Sequence, residues 1–232
     1  IAYKHLAAHQ ASDGKAEAKP DAAKRAFLVG AAIASGKAMM AQANKKVDGG
    51  LAVIKDKVVP HRHTLISPPG AMSAQHMARH CTACQLCVAA CPNGALRPAT
   101  DLQHLMQPTM SYERGYCRPE CTRCSEVCPT GAIFPITREE KSSIQIGHAV
   151  WVARNCVVLT DDVACGNCAR HCPSGAITMT ISETLKTKSG RKAMIPVVNT
   201  ERCIGCGACE FVCPSRPLSA IYVEGHEVQR TI

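Results

Sequence analysis

Cys203-Ile204-Gly205-Cys206-Gly207-Ala208-Cys209-Glu210-Phe211-Val212-Cys213-Pro214 sets the reading of the whole chain. Its spacing is C-x2-C-x2-C-x3-C-P. Three thiolates at that pitch lie on one curled loop and reach different irons of a single cubane. The fourth follows a short helical turn and points away, toward a second cluster. The proline beside it ends the turn, because it has no N–H to give.

The same run, or a variant of it, occurs four times. The first is Cys81-x2-Cys84-x2-Cys87-x3-Cys91-Pro92, regular in every gap. The second, Cys117-x3-Cys121-x2-Cys124-x3-Cys128-Pro129, carries one extra residue in Arg118-Pro119-Glu120. The third, Cys156-x8-Cys165-x2-Cys168-x3-Cys172-Pro173, has a long first gap holding a strand-like Val157-Val158-Leu159 and an acidic turn, Asp161-Asp162. An exit of the form Cys-Pro-x-Gly-Ala-(Ile/Leu) follows the first three. Glycine there permits a positive φ, so the chain can turn sharply off the cluster and expose backbone N–H groups to its sulfides. The fourth exit reads Ser215-Arg216-Pro217-Leu218 and must turn differently.

All 16 cysteines of the 232 residues fall in these quartets, so none is left for nucleophilic or disulfide chemistry. Zinc sites pair two C-x2-C knuckles across a gap, and a disulfide framework needs no Cys-Pro quartets. The three-plus-one pattern therefore points to four [4Fe–4S] clusters, with zinc or disulfides as the lesser alternatives. Each site, a +2 core with four thiolates, adds −2. Four of them bring the formal +9 of the chain to about +1. The basic composition is thus a property of the cluster-free chain and gives no case for nucleic acid. No Cys-x2-Cys-His, G-x-G-x-x-G, phosphate-binding loop or Ser/His/Asp arrangement occurs, so haem, nucleotide and hydrolytic chemistry go unsignalled.

The composition divides the chain into three. Residues 1–43 form a polar, alanine-rich segment followed by Lys24-Arg25-Ala26-Phe27-Leu28-Val29-Gly30 and a small-residue apolar run ending Ala41-Gln42-Ala43. A basic stretch, a short apolar stretch and an A-x-A exit read as an export signal or an uncleaved anchor helix. The alternative is an amphipathic helix packing on a partner. Residues 44–75 are punctuated by glycine and proline and read as an extended arm, with His61 and His63 a solvated pair. Gln75–His80 reads as a short helix. Residues 76–232 form the four-cluster domain.

In that domain, β segments at Val150-Trp151-Val152, Ile177–Ile181, Ile195–Val198 and Ala220–Val223 flank the loops. The fold class is α+β: tandem or nested two-cluster ferredoxin-like units with short strands, short helices and many loops. The insertion 97–116 holds Tyr112 and Tyr116 and reads as a packed loop over a cluster. Two pairings are open. Sequential pairing joins the first quartet to the second and the third to the fourth. Nested pairing joins the first to the fourth, with an outer unit of 76–100 and 196–232 around an inner unit of 112–182. The regular gaps of the outer quartets favour nesting, and connectors of 25, 27 and 30 residues permit either.

The four quartets, behind Lys24-Arg25-x-Phe27-Leu28, resemble the NapG/MauM-type polyferredoxins. That resemblance implies nested pairing. Cys81, Cys84 and Cys87 then share a cluster with Cys213, and Cys203, Cys206 and Cys209 with Cys91. Inside, Cys117, Cys121 and Cys124 go with Cys172, and Cys156, Cys165 and Cys168 with Cys128. It implies a non-catalytic electron-transfer subunit on the periplasmic or exported membrane side. Its partners would be a quinol-oxidising or cluster-bearing membrane subunit and another redox protein. A cytoplasmic iron–sulfur subunit of a larger oxidoreductase, a catalytic iron–sulfur enzyme and a zinc-bound interaction module are the alternatives. Arg118, Arg123, Arg170 and His171, inside the loops, are candidate cations for tuning potential.

Overall fold

Each quartet folds alike in the computed structural model, which describes residues 57–232. An extended loop brings in the first two cysteines except in the third quartet, where a helical turn separates them, and in all four one turn of helix carries the third cysteine. These turns are α2 (Leu86–Ala89, with Cys87), α3 (Arg123–Glu126, with Cys124), α6 (Asn167–Arg170, with Cys168) and α7 (Ala208–Phe211, with Cys209). Four residues are too few for a helix to persist alone in water. The prolines after Cys91, Cys128, Cys172 and Cys213 stop them. Ahead of the first loop stands α1 (Ala74–His80), capped by Ser73, whose Oγ accepts from the His76 N–H at 3.0 Å.

Among the described residues the strands form three two-stranded antiparallel sheets. β1 (Leu96–Pro98) pairs with β2 (Pro108–Met110), Leu96 opposite Met110. β4 (Ile177–Lys186) pairs with β5 (Lys192–Val198), Ile177 opposite Val198. Each of these hairpins leads out of one quartet and into the next, so the first and second quartets are joined as the third and fourth are. β3 (Ile144–Trp151) lies between the two halves and pairs with the last strand, β6 (Ile221–Thr231), Trp151 opposite Ile221. The strand regions expected around 150, 177–181, 195–198 and 220–223 all lie in or against these elements. The fold is thus a mixture of short helices and small strands.

One expectation is corrected here. Val157-Val158-Leu159 is helical, forming α5 (Val157–Thr160), behind a 3₁₀ turn at Ala153–Asn155. A short apolar run does not distinguish strand from buried helix. Here the Cys156 carbonyl accepts from Leu159 and Thr160 at 2.9 Å each, which coils the long gap and puts Val158 into the core. The described part of the arm has no helix or strand before the bridge at Ser73. Residues 57–73 are packed along the rest of the fold. Asn155, fully buried, bonds the Val58 backbone through Oδ1 at 2.9 Å and Nδ2 at 2.8 Å. Further along, Glu224 accepts from the His63 and Thr64 N–H groups, and Gln229 holds the Gly70 N–H and the Pro68 carbonyl. His61 and His63 themselves are exposed. The signal-like segment 24–43 and arm residues 44–56 lie outside the described residues.

Side chains are buried in two groups. Ile66, Met77, Leu96, Met110 and Ile133 gather round Cys87 and Cys124. Val158, Ile177, Ala193 and Ile221 gather round Cys156, Cys203, Cys209 and Cys213. The core of each half is built on its cysteines.

Candidate metal centres

The 16 cysteines line four cavities, four to each. Site I is lined by Cys81, Cys84, Cys87 and Cys128. Site II is lined by Cys91, Cys117, Cys121 and Cys124. Cys156, Cys165, Cys168 and Cys213 line site III, and Cys172, Cys203, Cys206 and Cys209 line site IV. Each encloses about 270–380 Å³ of unfilled space, mouth included. In every case three cysteines come from one quartet and the fourth from its neighbour across the hairpin.

This grouping is sequential and overturns the nested one. Cys213 faces the third quartet's loop, not that of Cys81; Cys91 faces the second, not the fourth; Cys128 joins the first and Cys172 the fourth. Units of 76–100 with 196–232 and of 112–182 therefore do not match the grouping. The physical reason is local. The extra residue at Arg118-Pro119-Glu120 and the long gap after Cys156 are absorbed within their own loops, so gap irregularity carries no information about pairing.

The exit turns behave as their glycines require. Gly94, Gly131 and Gly175 sit at φ of +60°, +72° and +61°. A Cβ at Gly94 or Gly131 would meet nothing within 4 Å, so the demand there is conformational, not steric. The turns aim N–H groups at sulfur: Ile133 N–H to Cys128 Sγ at 3.4 Å and Ala176 N–H to Cys172 Sγ at 3.3 Å. The fourth exit differs, as Arg216-Pro217 required. It contains a cis Arg216–Pro217 bond, and the Ser215 hydroxyl donates to the Leu218 carbonyl at 2.9 Å. The Ala220 N–H still reaches Cys213 Sγ at 3.3 Å. Lys57 of the arm docks here, on Ser215 Oγ at 2.9 Å and on the Arg216 carbonyl.

Burial raises nine of the sixteen thiols, while at Cys128 burial is outweighed by hydrogen bonds from the Ile133 N–H and Thr130, which lower it. Cys87 and Cys168 are pushed to about 11, and Cys124 and Cys206 to about 12, in each case by burial first. Buried thiols crowded four to a cavity are poor acids alone; a bound cation would hold them as thiolates. Two side chains counter the rise. The Cys117 thiol is raised by burial and drawn back by Lys141, the one buried cation among the described residues. Lys141 Nζ also donates to the Arg118 carbonyl at 2.7 Å. At site III, burial raises the Cys156 thiol, while the Val158 N–H and the indole N–H of Trp151 lower it. Trp151 Nε1 is buried with no hydrogen-bond partner, a donor left in the cavity wall for a sulfur acceptor.

Sequence reasoning missed both. Lys141 sits in α4 (Arg138–Ser143), which opens on a capping box, Thr137 with Glu140. That pattern was legible and marks the helix, but not the cavity its lysine enters. Arg118, Arg123, Arg170 and His171 are all exposed, with Arg123 paired to Glu126 at 3.2 Å.

The donor sets fit iron–sulfur clusters. Among the described residues no three His, Cys, Asp or Glu side chains converge on a single-ion position. The cysteines instead surround cavities, as a polynuclear core requires. The comparisons with known proteins agree. The 4Fe-4S dicluster domain family matches residues 80–132 and 163–216, one stretch in each half. The methylamine utilization ferredoxin-type protein MauM of Paracoccus denitrificans is 32% identical over 171 residues, 70% of this chain and 73% of that protein.

The chain belongs to the MauM/NapG family of ferredoxin-type proteins.

The ferredoxin-type protein NapG of Escherichia coli is 30% identical over 64% of this chain and 65% of its own length. A chain of the formate dehydrogenase–heterodisulfide reductase–formylmethanofuran dehydrogenase complex of Methanospirillum hungatei is a distant likeness, with TM-score 0.27 and 23% identity over 65% of this chain and 50% of that one. As a member of the MauM/NapG family the chain is a [4Fe–4S] electron carrier rather than an enzyme.

Proposed function

We propose that this ferredoxin-type protein holds four [4Fe–4S] clusters, one in each of sites I to IV, with the four cysteines of each site as ligands. We further propose that it relays electrons between a quinol-linked membrane partner and another redox protein on the exported side of the membrane. The supporting observation is the division of all 16 cysteines into four cavities of four. When bound, each cluster supplies a one-electron couple and no more, since four protein ligands leave no iron open for substrate.

The protein's residues bind, shield and tune. Met77 and Ile133 at site I, and Met179 and Pro196 at site III, exclude water. The N–H groups of Ala83, Ile133, Ala176 and Ala220 donate to cysteine sulfur. Donors and cations beside sulfur favour the reduced, more negative state and raise the potential. Lys141 does this at site II and Trp151 at site III. Trp151→Phe keeps an aromatic ring and removes the N–H, so it should lower the midpoint potential of site III alone in an EPR-monitored redox titration.

Export rests on Lys24–Ala43 and on the family. Among the described residues no helix is long and apolar enough to cross a membrane. Protease added to spheroplasts should degrade the exported protein, and full protection until the inner membrane is lysed would place it in the cytoplasm instead. The cluster assignment is tested by anaerobic purification with iron and sulfide quantification and EPR after dithionite reduction. About sixteen irons per chain are expected, and fewer than about twelve in fully loaded material contradicts four cubanes.

A further inference from the structure

The two halves meet at one place between their cysteine loops. The Cys117 N–H, at the edge of site II, donates to the Cys206 carbonyl, at the edge of site IV, at 2.9 Å. Among the described residues this is the one hydrogen bond joining cysteine backbones of different halves. Tyr112 stands beside it. Its ring comes from the insertion of the first half and is 1% exposed, and its hydroxyl donates to the Gly205 carbonyl of the second at 2.7 Å. A Cβ at Gly207 would lie 2.1 Å from Tyr112 Cδ1, so glycine there is what admits the ring. These contacts place the ring between the two sites. Among the described residues no backbone hydrogen bond joins a cysteine of site I to one of site III. Cys84 of site I is exposed, alone among the sixteen.

We propose that Cys117–Cys206, backed by Tyr112, is the crossing point between the halves, and that the four sites stand in the spatial order I, II, IV, III. The proposal rests on the four-cluster reading above. Along this order one electron at a time leaves a reduced site and enters its oxidised neighbour, with no bond or proton changing hands. An external one-electron donor and an external one-electron acceptor act at the ends. Those ends are site I and site III, so chain order and transfer order differ: the last quartet in sequence is internal and the third is terminal.

The test uses the full, cluster-loaded chain. Cys84→Ala, Cys121→Ala, Cys165→Ala and Cys209→Ala empty sites I, II, III and IV in turn. Iron content checks the underlying reading: about sixteen per wild-type chain and about twelve in each variant. A wild-type content near eight defeats the four-cluster reading and with it the proposal. With four clusters present, EPR of the reduced proteins reads the junction. Emptying site II should relieve spin–spin broadening of the site IV signal, and emptying site I should leave that signal unchanged. A site IV signal indifferent to loss of site II, or responsive to loss of site I, overturns the order. Tyr112→Phe serves if an alanine variant does not load. It should shift the midpoint potentials of sites II and IV and leave those of I and III. A shift elsewhere, or none, overturns the proposal.

Discussion

Stripping the iron from this protein, with a chelator and mild oxidant, should collapse the fold of residues 57–232, read as loss of far-UV circular dichroism and as rapid proteolysis. The expectation comes from how little else holds the chain. All three sheets of the described residues are two-stranded, and such ribbons are marginal alone in water. The helices that carry cysteines have four residues each. Aromatic residues are 3% of the chain, and both buried groups are centred on cysteine. Without clusters the four cavities lose both the cross-links and the filling of the core. High pH should make this worse. Burial raises Cys124 and Cys206 from an ordinary 9 to about 12, so a cluster-free fold keeps protons that the unfolded chain releases. The stability these thiols contribute is fully present below pH 9 and is lost as pH rises toward 12. A stripped chain that kept its spectrum and resisted protease would show that packing alone suffices.

Tyr112→Ala should be the most damaging single change away from the cysteines, costing about 3–5 kcal/mol in thermal or chemical unfolding of the loaded protein. The ring is fully buried and fills the space over Gly207, so its removal leaves a cavity at the seam of the two halves. The Gly205 carbonyl also loses its phenolic donor. Tyr112→Phe isolates that second part and should cost about 1–3 kcal/mol, the range for an orphaned buried acceptor. Equal losses in the two variants would mean that the hydrogen bond, not the ring, holds the seam. Gly207→Ala approaches the same contact from the other side. At φ +78°, with the ring 2.1 Å from the new methyl, it must displace Tyr112 or the Cys206 loop.

Much of the centre was legible in the cysteine spacing. The quartet pitch pointed to all four loops, and the Gly94, Gly131 and Gly175 exits predicted the positive φ found there. The Arg216-Pro217 departure marked the exit that differs. What the spacing did not carry was pairing. A cysteine past a helical turn points to some other cluster, and hairpin geometry chooses which. The hairpins are built by Leu96–Met110 and Ile177–Val198 contacts, which are long-range and depend on burial. The tuning groups were hidden for the same reason. Trp151 read as a strand residue and Lys141 was not singled out, and only tertiary packing brings them to Cys156 and Cys117. The arm read as a linker because its glycines and prolines carry no period, whereas what fixes it is Asn155, Glu224 and Gln229, far off in sequence.

The central claim is that consecutive quartets exchange their fourth cysteines, and Cys213→Ala tests it most directly. EPR of the reduced, loaded variant should lose or alter the signal that Cys165→Ala also removes, and should leave intact the signal that Cys84→Ala removes. Loss of the Cys84-dependent signal, with the Cys165-dependent one unchanged, would contradict sequential pairing and restore the nested arrangement.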